Sequence, residues 1–249
     1  MVGTQLAPPL PPRISPGRRV YAVGDIHGRA DLLRRLLDRI AADAGDSPDL
    51  RHVLVFLGDY VDRGPESAKV IDLLLEGPPS GFDIVYLRGN HEQFLVDFLD
   101  LGVAGETWLA NGGRATIESY GLDATAVLFG RTSLADLRES LRDALPASHR
   151  AFLDALKLYH EESGYLFVHA GIRPGATLAD QVPADLLWIR GPFLMSTQDF
   201  GRVVVHGHTV EPEPAILRNR IGIDTGAYRS GRLTCLVLEG EIRRVLSTL

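Results

Sequence analysis

Three short segments of the sequence place carboxylates, imidazoles, an amide and a guanidinium directly after apolar runs. Gly58 to Gly64, with the sequence Gly-Asp-Tyr-Val-Asp-Arg-Gly, follows the apolar run Val53 to Phe56. Gly24 to Gly28 (Gly-Asp-Ile-His-Gly) and Gly89 to Glu92 (Gly-Asn-His-Glu) each end a similar run. Short apolar runs that stop at glycine are typical of buried strands. These strand ends would deliver a set of oxygen and nitrogen ligands to one place: Asp25, His27, Asp59, Asn90 and His91.

Two later apolar runs end in histidine. His169 follows Leu166-Phe167-Val168, and the segment His206-Gly207-His208 follows Val203 to Val205. A single histidine after a strand is usually a structural hydrogen-bonding residue. Five strand ends that all carry Asp, Asn or His beside glycine are much harder to explain by packing. Glycine lets the backbone turn sharply, so that short ligand side chains can converge on a metal ion.

The ligand set is large enough for two metal ions. Asp25 and His27 can chelate one ion, Asn90 and one or two later histidines can hold another, and Asp59 is the natural bridge. The mixed nitrogen and oxygen set without thiolate suits Mn²⁺ first, with Fe or Zn²⁺ as alternatives. Two such ions with two carboxylates leave a charge of about +2, which favours a phosphate dianion and lowers the pKa of a bridging water. The sequence therefore predicts metal-assisted phosphoester hydrolysis.

Other residues of the same motifs could handle the proton and the phosphate. His91 is the candidate acid that protonates a leaving alkoxide, and Asp62 is the carboxylate that would orient it and raise its pKa. The alternative for Asp62 is an ion pair with a nearby arginine. Arg63 would hold phosphate oxygens with its planar fork of donors.

Composition limits the classes of protein that the chain can belong to. Its 249 residues suit one large α/β domain or two small ones. The formal net charge of -6 gives no reason to expect nucleic acid as a partner, although the same net charge is compatible with a local basic patch. The single cysteine, Cys235, lies in an apolar run, which favours a buried residue and a reducing cytoplasm. We find neither a membrane span nor a secretory signal in the sequence, so we expect a cytoplasmic protein without membrane contact.

The elements that position these residues alternate along the chain. We predict a strand over 18–23, an amphipathic helix over 30–42, the strand before Gly58, a helix from Pro65 to about Leu75 and a strand over 82–87. This order indicates a largely parallel sheet, whose sites form outside the carboxyl ends of the strands. Further strands are predicted over 165–168, 202–205, 220–223, 233–238 and 242–246, the last two joined by a hairpin turn at Gly240.

Two regions of the sequence do not belong to this α/β pattern. Residues 1–17 are predicted to form a flexible proline-rich tail, with a ligand for a proline-recognition domain as the alternative. Residues 93–160 are predicted to form a helical insertion or cap within a single domain over 18–249. In that insertion, Trp108 is either a substrate-groove residue or a packed core aromatic. Asn111-Gly112-Gly113-Arg114 either brings an arginine near the site or forms a plain turn.

The three motifs, in this order and at this spacing, resemble those of the phosphoprotein phosphatase family of serine/threonine phosphatases, and more widely those of calcineurin-like metallophosphoesterases. The resemblance extends from about Arg18 to Leu249 and is weak between Gln93 and His160. It implies a central two-sheet β-sandwich flanked by helices, in the layer order α-β-β-α, with metal ions at the strand ends. The chain is shorter than the eukaryotic catalytic core, and it resembles the compact bacterial members.

The resemblance also implies roles for individual residues. The ligands of the first metal ion would be Asp25, His27 and Asp59, and those of the second would be Asp59, Asn90, His169 and His208. His208 is chosen because the family's last ligand follows a small residue, as in Gly207-His208-Thr209, and His206 would then be a buried histidine behind the ligands.

The remaining roles concern the proton and the substrate. By the same resemblance, His91 would be the general acid, Asp62 its partner and Arg63 one phosphate-binding arginine. Arg190 would be a second such arginine. Tyr228 would overhang the site, whereas the preceding Asp224-Thr225-Gly226 is also compatible with a simple turn between strands.

Three functions are compatible with this sequence. The favoured one is a serine/threonine protein phosphatase, in which a metal-bridging hydroxide attacks a phosphorylated protein or peptide directly. The alternative is a diadenosine tetraphosphate hydrolase or small-molecule phosphatase with the same metal ligands. Asp62 argues against the dinucleotide hydrolases, because that branch looks to lack this carboxylate in its central motif. A non-catalytic scaffold is the third, and the retention of all the predicted ligands weighs against it.

Overall fold

Two five-stranded β-sheets face each other in this computed structural model, which describes residues 12–77 and 81–249. The strands are β1 Arg18–Val23, β2 Arg51–Phe56, β3 Phe82–Tyr86, β4 Tyr159–Glu162, β5 Tyr165–Val168, β6 Val203–His206, β7 Ala215–Ile216, β8 Arg220–Gly222, β9 Thr234–Glu239 and β10 Ile242–Ser247. One sheet has the order β10-β9-β1-β2-β3, and the other has the order β4-β5-β6-β8-β7. The predicted strands are confirmed to within two residues, whereas β4 and β7 were not predicted.

The first sheet carries the parallel strands that the sequence predicts. β1, β2 and β3 run parallel, with Val20 opposite Val53 and Val55 opposite Val85. The hairpin of β9 and β10, which the turn at Gly240 predicts, continues the sheet in antiparallel fashion beyond β1. Because the three parallel strands point the same way, their carboxyl ends lie at one edge of the sheet.

Alternating side chains of β1 divide between two layers of the core. Val20 and Ala22 pack between the sheets, together with Phe167 of the second sheet. Tyr21 and Val23 point to the opposite face and pack with helices. Successive side chains of a strand face opposite ways, so a strand that is apolar throughout must be covered on both faces.

Helices cover the outer face of each sheet. They are α1 Ala30–Gly45, α2 Ser67–Glu76, α3 Asn90–Leu101, α4 Gly105–Trp108, α5 Arg114–Ser119, α6 Thr125–Leu128, α7 Leu134–Ala144, α8 Ala147–Ala155, α9 Pro183–Trp188, α10 Gly191–Leu194 and α11 Ala227–Ser230. On the second sheet, Leu186 of α9 and Phe193 of α10 pack with Val204. The layer order is therefore α-β-β-α, as expected. The helix predicted from Pro65 begins two residues later, at Ser67.

The helical segment between β3 and β4 belongs to the outer layer of the first sheet. Leu95, Trp108, Ile117 and Leu141 share one core cluster with apolar residues of α1 and α2. A wide π-helical turn over Leu109–Gly113 joins α4 to α5. The segment is helical, as predicted, but its first helix begins at Asn90 rather than near residue 93. Two predicted site residues, 90 and 91, therefore lie on the first turn of a helix.

The N-terminal segment is tied to the sandwich where it is described. Of the predicted tail 1–17, residues 1–11 lie outside the described residues. Ile14 is buried between the sheets, and its N–H donates a hydrogen bond of 2.8 Å to the carbonyl of Gly240. Cys235 is buried, as predicted. Among the described helices we find none with the length and apolar character needed to cross a membrane.

Candidate metal centre

The predicted ligands lie on loops that follow β1, β2, β3, β5 and β6, and backbone hydrogen bonds join these loops. The N–H groups of Ile26 and His27 both donate to the carbonyl of Asp59, at 3.0 and 2.8 Å. A contact across the sandwich is made by His169, whose Nδ1 lies 3.0 Å from the carbonyl of Leu57. Loops from both sheets are thereby held against each other at one edge of the sandwich.

Backbone strain is concentrated in these loops. Five of the seven described residues other than glycine with positive φ lie in them: His27 (46°), Asp59 (52°), Asp62 (71°), Arg63 (68°) and His208 (63°). Each such conformation costs on the order of 1–3 kcal/mol, and persists only where surrounding contacts enforce it. The fold therefore stabilises a geometry that these residues would not adopt by themselves.

Asp59 stands at the junction of two groups of imidazoles. Its Oδ2 lies 3.4 Å from Nε2 of His27 and 3.5 Å from Nε2 of His169. Each group has one potential ligand atom per residue, all within 4.8 Å of one another: Asp59 with His27 and His91, and Asp59 with His169 and His208. This arrangement suits the bridging position that the sequence assigns to Asp59.

Asn90 completes the second group. Its Oδ1 lies 2.9 Å from Nε2 of His169 and 2.9 Å from Nδ1 of His208. The amide is placed there because α3 begins at Asn90, directly after the third strand. An amide oxygen, two imidazoles and a shared carboxylate form a donor set suited to a borderline divalent ion.

Asp25 lies beside the two groups rather than within them. Its two oxygens accept from the backbone N–H of His208, at 3.2 and 3.1 Å. A Cβ atom at Gly207 would lie 2.0 Å from Oδ1 of Asp25, so only glycine permits this approach. Burial raises the pKa of Asp25 well above its usual value, and the charges of Asp224 and Asp59 act in the same direction. The sequence treated Asp224 only as part of a turn.

The protonation states of Asp59 and His208 suit metal binding. Burial works to raise the pKa of Asp59, but the imidazoles of His169, His91 and His27 outweigh it and hold the pKa well below its usual value. Burial lowers the pKa of His208 to about 2. An ionised carboxylate and neutral imidazoles are the forms that coordinate a metal ion.

Two acceptor atoms face each other in the second group. Nδ1 of His169 donates to the carbonyl of Leu57, so Nε2 of the neutral ring is an acceptor, and it lies 2.9 Å from the amide oxygen Oδ1 of Asn90. Two buried acceptors at this distance repel each other, and a metal ion bound by both would relieve the repulsion. The residues present therefore fit a divalent metal centre.

His91 is held by a buried carboxylate. Its Nδ1 lies 2.6 Å from Oδ2 of Asp62, which also accepts from Nε1 of Trp108 at 2.9 Å. The other oxygen of Asp62 accepts from Oγ1 of Thr116 at 2.5 Å. Burial works to lower the pKa of His91, but the charge of Asp59 and the hydrogen bond of Asp62 outweigh it and raise the pKa. Trp108 is thus a core aromatic, and sequence reasoning missed its contact with Asp62, as it missed Thr116.

Arg63 and Tyr228 lie next to the first group. The guanidinium of Arg63 is 2.7 Å from Nε2 of His27 and 3.0 Å from Nε2 of His91. It also lies over the ring of Tyr228, at 5.0 Å from the ring centre. The Tyr228 ring is 5.7 Å from that of His27. Both residues thus reach the place where the sequence predicts substrate contacts.

Arg190 lies at the outer side of the second group. It is exposed, and its guanidinium donates to Oγ1 of Thr209 at 3.2 Å. The neighbouring Trp188, which sequence reasoning did not single out, is 40 % exposed, and its ring lies 6.3 Å from that of His208 and 4.9 Å from that of Phe94. Arg190 therefore stands at the rim of the centre rather than against its ligand atoms.

His206 points away from the centre. Its Nδ1 donates to the carbonyl of Gly207 at 3.0 Å, and its ring packs edge-on against Phe193 at 5.1 Å. Burial lowers its pKa to about 4. Of the two histidines that the sequence left to be distinguished, the structure brings His208 into the ligand group.

The side chain of Glu92 binds the backbone of the Asp59 loop, a role that the sequence analysis did not predict. Oε2 accepts from the N–H groups of Asp59 and Gly89 at 2.8 and 2.9 Å. Oε1 accepts from those of Tyr60 and Val61 at 2.8 and 3.2 Å. The side chain is fully buried. One carboxylate thus fixes four backbone donors of two ligand-bearing loops.

We expect Glu92→Gln to destabilise the protein by at least about 2 kcal/mol, because the new amide group would face backbone donors that now bond to a carboxylate oxygen. Thermal and urea unfolding measure this change. Glu76→Gln, at an exposed site at the end of α2, is the control and should stay within about 0.5 kcal/mol. Equal stability of the two variants would contradict the supporting role of Glu92.

Comparisons with known proteins identify the family of this chain. The family model for calcineurin-like phosphoesterases matches residues 18–212. A bis(5'-nucleosyl)-tetraphosphatase PrpE [asymmetrical] of Halalkalibacterium halodurans is 28% identical over 240 residues, covering 86% of this chain and 87% of the relative. Its counterpart from Bacillus cereus (strain 03BB102) is 27% identical, with 86% and 88% covered.

Solved structures show the same fold. A protein provisionally named a diadenosine tetraphosphatase has a TM-score of 0.63 at 22% identity, with 94% of this chain and 95% of that chain covered. A cold-active protein-tyrosine phosphatase of a psychrophilic Shewanella species has a TM-score of 0.55 at 18% identity, with 94% and 83% covered. The wider relationship that the three motifs predict is confirmed: the chain belongs to the calcineurin-like phosphoesterase family.

Proposed function

We propose that this phosphoesterase hydrolyses bis(5'-nucleosyl) tetraphosphates such as diadenosine tetraphosphate, the alternative that the sequence left open. The observation that carries the proposal is the likeness, over most of the chain, to bacterial proteins named bis(5'-nucleosyl)-tetraphosphatase. The match covers 87% and 88% of those two relatives, so it is not confined to the segment that carries the metal ligands.

The favoured sequence interpretation, a serine/threonine protein phosphatase, rested partly on Asp62. In the structure Asp62 is fully buried and bonds to His91, Trp108 and Thr116. A carboxylate in that position acts on the substrate only through His91. Its presence is therefore equally compatible with a phosphoprotein or a dinucleotide, and it no longer argues against the dinucleotide.

The candidate centre suits this reaction. Two divalent metal ions held by Asp25, His27, Asp59, Asn90, His169 and His208 would supply a nucleophilic water and neutralise phosphate charge. Arg63 would bind the oxygens of the phosphate that is attacked, because its fork of donors lies at the edge of the first group. His91, with its pKa raised, would donate the proton from Nε2 to the leaving oxygen while Asp62 keeps Nδ1 oriented. Arg190 and Tyr228 would contact the rest of the substrate.

The test is a side-by-side turnover assay of the manganese-loaded protein on diadenosine tetraphosphate, a phosphothreonine peptide and a phosphotyrosine peptide. We expect kcat/KM for the dinucleotide to exceed that for either peptide by at least about tenfold, which corresponds to about 1.4 kcal/mol. Chromatography of the products should show fragments of unequal phosphate number. The chelated protein is the control for metal dependence. Preference for a peptide would overturn the proposal in favour of a protein phosphatase.

A further inference from the structure

A cavity of about 450 Å³, open to the surface, lies beside Arg63. Its walls include Arg63, Gly112, Arg114 and Glu118, and its other lining residues are small or apolar. The cavity therefore has two guanidinium groups and one carboxylate. Since the Arg63 side chain lies between His27 and His91, one wall of the cavity is also an edge of the metal centre.

Gly112 holds the π-helical turn against the backbone of Arg63. Its carbonyl accepts from the N–H of Arg63 at 3.2 Å, and its φ of 112° is one that glycine adopts readily. A Cβ atom at this position would lie 2.9 Å from the backbone nitrogen of Arg63. The π-helical turn is thus pressed against the Arg63 loop, and Arg114 follows two residues later.

The charge of Arg114 is not balanced by a carboxylate among the described residues. No described acidic oxygen lies within 4.0 Å of its guanidinium nitrogens, and its buried Nε has no hydrogen-bond partner in that part of the chain. By comparison, Arg131 and Arg150 of the same helical segment are both ion-paired. An unpaired arginine in a cavity next to a phosphate site is suited to bind a further anion.

We infer that this cavity binds the phosphates of a polyphosphate chain that lie beyond the hydrolysed one, with Arg114 as the residue that contacts them. The inference rests on the proposed function, because a tetraphosphate carries several negative charges that the metal centre and Arg63 do not all meet. Arg114 would then distinguish polyphosphates from phosphomonoesters. Glu118, on the same wall, would oppose that binding.

The experiment compares two inhibitors of p-nitrophenyl phosphate hydrolysis by the manganese-loaded protein. Inorganic tripolyphosphate and orthophosphate are titrated at constant free Mn²⁺, since tripolyphosphate chelates the metal. In the wild type we expect tripolyphosphate to inhibit at least about tenfold more strongly than orthophosphate, and Arg114→Gln to remove most of that preference, as the loss of one charge-assisted contact would. Arg131→Gln, outside the cavity, is the matched control and should keep the preference.

A second variant tests whether Arg114→Gln loses the preference for tripolyphosphate merely because it misfolds. Glu118→Gln should strengthen inhibition by tripolyphosphate a few-fold, because it removes a like charge from the wall of the cavity; a damaged protein would not bind more tightly. A wild type without preference, or an Arg114→Gln variant that keeps it, would overturn the inference. These readouts do not require turnover of a dinucleotide, so they separate a failure of this site from a failure of the proposed function.

Discussion

Replacing His91 by asparagine should slow the hydrolysis of a phosphothreonine peptide far more than that of diadenosine tetraphosphate. A general acid contributes on the order of 10²–10⁴ in rate where the leaving oxygen is a poor leaving group. The threonine alkoxide needs a proton, whereas the leaving group from a tetraphosphate is a phosphate whose second pKa is about 6. We therefore expect a loss of on the order of 10²–10⁴ on the peptide and a loss at least about tenfold smaller on the dinucleotide.

The measurement is kcat on both substrates for wild type and His91→Asn, with metal content determined by elemental analysis. Metal content should stay near the wild-type value, since the second ligand group does not include His91 and the first retains Asp59 and His27. His160→Asn, in β4 and outside the centre, is the control and should turn over normally. Unchanged turnover of the peptide would remove His91 from its role as acid, and equal losses on both substrates would contradict the leaving-group argument.

Asp59→Asn should abolish turnover of every substrate, because one side chain serves both ligand groups. Its carboxylate lies 3.4 Å from His27 and 3.5 Å from His169, and its N–H and Oδ1 are also engaged, with Glu92 and with the N–H of His91. The surrounding imidazoles keep it ionised, and a neutral amide cannot bridge two cations equally well. Metal catalysis supplies several kcal/mol of transition-state stabilisation, so we expect a loss of at least about 10³ in kcat/KM.

The variant should also bind less manganese, and elemental analysis after dialysis against a fixed free Mn²⁺ concentration measures this. Asp97→Asn, on α3 but outside the ligand groups, should match the wild type in metal content and rate. High manganese should restore part of the lost activity if weaker binding is the cause. A variant that keeps both its metal and its turnover would show that Asp59 is not the bridge.

The strand and helix pattern of the sequence was sufficient to predict the parallel strands of the first sheet and the edge at which the chemistry would lie. Alternation of apolar runs with a helical pattern indicates parallel strands, and parallel strands bring their carboxyl ends together. Because each ligand motif directly follows a strand, its position along the chain already specified its position in space. Local features were therefore sufficient to bring Asp25, His27, Asp59, Asn90 and the later histidines to one place. The preference for His208 over His206 came from the resemblance to a family whose last ligand follows a small residue.

Other features depended on contacts that no local pattern reports. The contacts of Asp62 with Trp108 and Thr116 join residues 46 and 54 positions apart, and a buried aromatic or threonine looks the same in sequence whether or not it bonds to a distant carboxylate. In the sequence Glu92 is typical of the first turn of a helix, yet its carboxylate accepts hydrogen bonds from backbone N–H groups 31 to 33 residues away. The cavity between Arg63 and Arg114 exists only because the π-helical turn packs against the Arg63 loop.

One physical difference separates the features that the sequence predicts from those that it does not. Periodicity, turns and strand ends are set by interactions between near neighbours in the chain, and the sequence records them directly. Three other properties arise only when the layers of the fold pack together. These are the hydrogen bonds between distant loops, the exposure of one side of an arginine to a cavity, and the burial that shifts a pKa. The ligands of the centre could therefore be predicted from the sequence. The residues that hold these ligands in place, and the cavity that would select the substrate, are formed only by the tertiary structure.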